Sequence, residues 1–168
     1  MVRRSPGIPA HNGLMTFDFR ITKVRLPVHL IMLGGEELGG EMFVQAQSSK
    51  HAGREEIPDV LNGEEPFFPL GRAGGTLLVA KDQVREVVVS GDQFDDPFLA
   101  TAARAEPVEL TLTDGSVRTG RVYLEMPTAR PRLLDFLNRY AQRFVVLYAA
   151  GGVCLVNRTL IEHVRPVE

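Results

Sequence analysis

The sequence predicts a mainly β protein made of two tandem, small five-stranded barrels, each with a short helix between strands two and three. Three observations carry this expectation. PVHLIMLGGEELGGEMFV, from Pro27, aligns without a gap with PVELTLTDGSVRTGRVYL, from Pro107, at an offset of 80 residues. DVLN at Asp59 matches DFLN at Asp135, and Phe68 then falls on Phe144 at an offset of 76. Finally, TLLVAKDQVREVVV aligns with VCLVNRTLIEHVRP, setting Val79 on Val156, Val84 on Ile161 and Val87 on Val164. Glycines, an Asp-x-Leu-Asn and a closing strand in one fixed order mark a copied module. The expected organisation is an N-terminal segment 1–26, a first barrel 27–89, a linker 90–106 and a second barrel 107–168. Residues 1–14, with Pro6, Gly7, Pro9 and Gly13, are expected to be disordered.

The second copy shows the elements best. Val108, Leu110 and Leu112 alternate with Glu109, Thr111 and Thr113, the period of a half-buried strand. Asp114-Gly115 supplies a hairpin turn, and Val122, Leu124 and Met126 line one face of the next strand. Gly120, near its start, relieves crowding where a strand bends sharply. RPRLLDFLNRYAQRF places Leu133, Leu137, Tyr140 and Phe144 at helical spacing, with Pro131 suited to the start. FVVLY, VCLVN and IEHVR follow as strands three, four and five. In the first copy, QSSKHAGREEIP at 47–58 reads as a longer, mobile loop. Phe94, Phe98 and Leu99 suggest a linker that docks rather than hangs free.

Composition narrows the function. The 168 residues carry 19 basic and 21 acidic side chains, a formal charge of −2, which argues against a protein that coats nucleic acid through its overall field. Charge is uneven: residues 27–89 carry −5 and residues 107–168 carry +2, a difference that favours head-to-tail pairing. A single cysteine, Cys154, excludes an intramolecular disulfide and a multi-Cys zinc site. No apolar run approaches the roughly 18 residues of a membrane span. The N-terminus lacks the apolar stretch of a secretory signal. The expectation is a cytoplasmic protein with no cofactor, no metal, no DNA partner and no membrane association.

Candidate sites are sparse. Arg132, Arg139 and Arg143 fall on one stripe of the expected helix, able to grip phosphates or an acidic partner surface. The simpler reading is a solvated face, with Asp135 and Arg139 as an i,i+4 ion pair. Asp59 with Asn62, and Asp135 with Asn138, read as caps that hydrogen-bond nearby backbone. His11, His29, His51 and His163 show no metal-ligand spacing. Cys154, beside Leu155 and Val156, reads as a buried, inert thiol. The glycine pairs of LGGEELGG and GRAGG match no phosphate-binding loop and read as turns. No nucleophile elbow, zincin helix or kinase signature occurs, so no enzyme is expected.

VELTLTDGSVRTGRVYL resembles the first motif of the Sm-like family, and VCLVNRTLIEHVRP is similar to its short second motif. Duplicated bacterial domains of unknown function with a D-x-L-N and a final I-x-x-V are closer still. The fold this implies is an SH3-like, Sm-like barrel. In the Sm-like family a helix precedes strand one, whereas here the helical signal lies between strands two and three. Sm-like proteins form rings by pairing strand four of one unit with strand five of the next, and many bind single-stranded RNA near these motifs. The resemblance therefore sets Asn157 and Arg158 where RNA-contacting residues lie, with Ala80 and Lys81 at the matching positions of the first copy. The implied function is a non-catalytic binding and assembly module using barrel edges for self-association or a protein partner. RNA binding through ring surfaces is the alternative.

Overall fold

The structure, a computed structural model, describes residues 22–91, 104–124 and 132–168. The expected disordered stretch 1–14, the docking residues Phe94, Phe98 and Leu99, Met126 and Pro131 lie outside them. Ten strands and two helices are present among the described residues. They are β1 Lys23–Met32, β2 Glu37–Gln45, α1 Ile57–Leu61, β3 Phe67–Arg72, β4 Gly75–Ala80, β5 Val84–Ser90, β6 Arg104–Leu112, β7 Val117–Leu124, α2 Leu133–Arg139, β8 Phe144–Ala149, β9 Gly152–Asn157 and β10 Ile161–Pro166. Strand β1 starts before Pro27 and β6 before Pro107, so both reach into segments expected as connectors.

All ten strands form a single antiparallel sheet in the order β10-β6-β7-β8-β9-β5-β1-β2-β3-β4. This corrects the expectation of two separate five-stranded barrels. The strand that ends the first half, β5, does not stop at an open edge. It pairs with β9 from Glu86↔Val156 to Ser90↔Gly152, which fuses the halves. Edge strands carry unsatisfied N–H and C=O groups, and mutual pairing satisfies them at the boundary.

Within the sheet, each half runs in the order five-one-two-three-four. The register repeats as well: Val28 faces Gly40 in β1–β2 and Val108 faces Gly120 in β6–β7. Turn hydrogen bonds repeat at the same offset, Gly35 N to Met32 O and Gly115 N to Leu112 O. Both turn glycines have positive φ, 86° and 82°, which side-chain-bearing residues rarely adopt. One match moves by a residue. Phe67 faces Ala80 as Phe144 faces Asn157, so the counterpart of Phe144 is Phe67, not Phe68. The second copy has one more residue between its Asp-x-Leu-Asn motif and its third strand, which raises the offset from 76 to 77.

Gly40 and Gly120 mark where strand two passes closely against strand three. A Cβ on Gly40 would lie 2.7 Å from the Gly71 carbonyl oxygen, and one on Gly120 2.5 Å from that of Tyr148. The expectation for Gly120 was crowding at a bend, and crowding by neighbouring backbone is found at both positions.

The core has two clusters. One is built from Leu30, Met42, Ile57, Leu61, Phe68 and their neighbours in the first half, joined by Phe144, Val153 and Leu155 from the second. The other lies within the second half around Leu110, Leu112, Val122 and Leu147. The first half therefore completes its core with side chains from the second. The loop at 47–58, expected to be mobile, is tied by Ser48 N to Gly53 O and Glu55 N to Gln45 O, and its last two residues open α1.

Candidate functional site

The sheet has two outer strands, β4 and β10, and one internal junction, β5–β9, where the same two strand positions meet. That internal junction shows what each outer strand lacks. Leu155 and Phe144 are 0% exposed and Cys154 is 8% exposed, whereas their counterparts Leu78, Phe67 and Leu77 are 75%, 57% and 40% exposed. On the other side of the junction Ile57, Leu61, Val84 and Val87 are buried. Their counterparts Leu133, Leu137, Ile161 and Val164 remain half-buried. At matching repeat positions, side chains next to the neighbouring half are thus buried and those at the outer strands are not.

Polar groups fix the junction. The Asn62 side chain binds the Phe144 backbone at both ends, accepting from its N–H (2.8 Å) and donating to its carbonyl (3.3 Å). The Asn157 amide donates to Val84 O (2.9 Å), while its oxygen accepts from Thr159 N and Oγ1. Arg118 grips Glu86 through two bonds, Nε to Oε2 (2.9 Å) and Nη2 to Oε1 (2.6 Å). Arg85 joins Glu86 (3.4 Å) to Asp114 (2.6 Å). Arg143 pairs with Asp82 across the same boundary. Glu86 is fully buried, and a buried carboxylate is tolerated when paired and hydrogen-bonded in this way. The sequence hint is the adjacent charges Arg85 and Glu86 inside the otherwise apolar VREVVV, which the sequence analysis does not single out.

Cys154 Sγ lies 3.6 Å from Glu86 Oε2. Burial, followed by the Glu86 charge, pushes its thiol up to about 12. A free thiol ionises near 8.5, and the thiolate is the reactive form. Iodoacetamide should therefore leave Cys154 of the folded protein unmodified, with no rise in labelling from pH 7 to 9, and should label it promptly in urea. Fast native labelling that climbs over that pH range would contradict the buried, protonated thiol.

The six residues read as RNA or partner contacts do not form one surface. Lys81 is buried, donating to Val60 O (2.6 Å) and Gly63 O (3.1 Å) at the end of α1. Burial, reinforced by the Arg143 charge, lowers its pKa. Asn157 is buried in the junction. Arg143 lies beyond the end of α2, so it leaves the expected helical stripe and serves the ion pair with Asp82. Arg158 is exposed but donates to Tyr140 O (2.6 Å), the counterpart role to that of Lys81. Arg132, at the N-cap position of α2, and Arg139, its last residue, are exposed.

The two Asp-x-Leu-Asn motifs divide. Asp59 caps α1 by accepting from Glu56 N (2.9 Å) and meets His51 Nε2 at 2.7 Å. The Ala52 carbonyl and then Asp59 raise the His51 pKa. Both ring nitrogens are thereby engaged in bracing the loop. Asn62 is no cap alone, as the sequence suggested, but a bridge between halves. An open groove of about 650 Å³, with Arg25 stacked 5.3 Å over the Phe43 ring, lies beside Gly40 and Gly71. Among the described residues no three His, Cys, Asp or Glu side chains converge as metal ligands, and no helix is long and apolar enough to cross a membrane. Compared with family models, curated proteins and solved structures, the chain matches none.

Proposed function

We propose that this protein is a non-catalytic assembly module whose outer strands, β4 and β10, pair with further protein chains. The observation that carries this reading is the contrast between junction and edge. Leu78 and Phe67 stand exposed at positions whose repeat counterparts are wholly buried by a neighbouring half. Covering an apolar side chain of that size contributes roughly 1.5 to 3 kcal/mol. An open strand edge adds a row of main-chain donors and acceptors ready to pair. The Sm-like resemblance, in which units join through strands four and five, agrees with this reading.

The RNA alternative draws less support. Of the six residues assigned to it, Lys81 and Asn157 are buried, and Arg143 and Arg158 are engaged within the chain. Arg132 and Arg139 remain as exposed guanidiniums, too few for the several phosphate contacts that give strong, salt-sensitive binding.

Light scattering tests the assembly reading. The wild-type protein should have a mass that is a multiple of 18.6 kDa, and Leu78→Asp or Phe67→Asp should reduce it to the monomer with an unchanged circular dichroism spectrum. A wild-type protein that stays monomeric at high micromolar concentration, or one that shifts short RNA in a gel while monomeric, would overturn it.

A further inference from the structure

Resting on that reading, we infer that the occupant of the β3–β4 edge is a second copy of this chain, docked through its β10 and α2 in the register of the internal junction. In this contact the Asn138 side chain clasps the Phe67 backbone of the neighbouring copy.

The register follows from the repeat. Val87↔Leu155 and Val88↔Cys154 at the internal junction become Val164↔Leu78 and Arg165↔Leu77 between copies. Both faces are prepared for this. The β4 side shows Leu78 and Phe67, and the β10 side shows Val164 and Leu137, half-buried where Val87 and Leu61 are fully buried. The clasp follows in the same way. Asn138 corresponds to Asn62, and Phe67 to Phe144. Asn62 spends its amide on the Phe144 backbone, whereas Asn138 is exposed on α2. A generic partner would have no reason to match three separate features of the first half with their counterparts in the second.

The ionic part of the junction is not repeated. The counterparts of Glu86 and Arg118 are His163 and Leu38, and those of Arg85 and Asp114 are Glu162 and Gly34. The contact between copies is therefore apolar and main-chain in character, and differs from the charge-driven pairing expected from the net charges of the halves. Raising the salt concentration should leave it intact. Because two different edges meet, the contact is head-to-tail and generates a ring or a filament.

Cross-linking separates this inference from the reading beneath it. In a Cys154→Ala background, full-length Leu77→Cys and Arg165→Cys proteins are treated with a short bis-maleimide, each alone and as a mixture. Covalent dimers should form in the mixture and in neither protein alone. Dimers in either protein alone would show like edges meeting and overturn the inference. No dimer in the mixture, with an oligomeric mass by light scattering, would overturn the register and leave assembly standing, while monomers throughout would overturn both. Asn138→Ala should weaken association by roughly tenfold, the loss expected for a two-point hydrogen bond. Dilute samples should unfold at the wild-type temperature. Undiminished association in that variant would remove the clasp.

Discussion

Gly152→Val is expected to cost roughly 3 kcal/mol or more, the upper range for forcing extra atoms into a packed interior. A Cβ at this position would lie 2.2 Å from the Val89 carbonyl oxygen and 3.1 Å from Gly91 N. These are backbone atoms of β5, the strand paired with β9, and of the residue that follows it, so no side-chain rotation can relieve the overlap. The strands must separate, and the core cluster that Phe144 and Leu155 complete would open with them. Against a total stability of about 5–15 kcal/mol, this is a large fraction. Gly39→Ala provides the comparison, because a Cβ there meets nothing within 4 Å. Urea unfolding should show a strongly lowered midpoint for Gly152→Val and a nearly unchanged one for Gly39→Ala. Equal midpoints would mean that the β5–β9 junction is not formed as described.

The second large effect belongs to the buried ion pair. Arg118→Ala should destabilise the fold by about 3 kcal/mol, because it leaves a buried carboxylate with only the longer Arg85 contact and the weak Cys154 thiol donor at 3.6 Å. Charge, more than lost packing, is the cause, and a double-mutant cycle separates the two. Glu86→Gln introduced into Arg118→Ala should recover part of the loss, giving a coupling on the order of 1–3 kcal/mol. Strict additivity of the two substitutions would assign the Arg118 effect to packing alone. The pair lies where β7 of one half meets β5 of the other, and its repeat positions hold His163 and Leu38. It therefore distinguishes the internal junction from any contact between copies.

Much of the fold is legible in the sequence alone. Alternation in VELTL, the Asp-Gly turn and the helix between strands two and three all arise from interactions a few residues apart or from backbone preference. Val84 on Ile161 and Val87 on Val164 hold as matched positions of β5 and β10. The functional residues were less visible. Lys81 and Arg158 read alike as cations on a ligand-facing turn, yet one is buried against the end of α1 and the other is exposed. A sequence does not state how deeply a side chain lies. Asn62 and Asn138 sit in identical motifs, and only the presence of a neighbouring strand turns the first into a bridge.

By itself, the sequence determined that one β-rich pattern occurs twice, where its strands and turns fall, and which faces are apolar. Local periodicity and glycine geometry suffice for that. Only the tertiary structure decided that the copies share one sheet and a core instead of closing separately. An apolar strand buries equally well against its own half or against a neighbour's. The choice is made by main-chain pairing and a buried carboxylate–guanidinium contact between residues far apart in the chain.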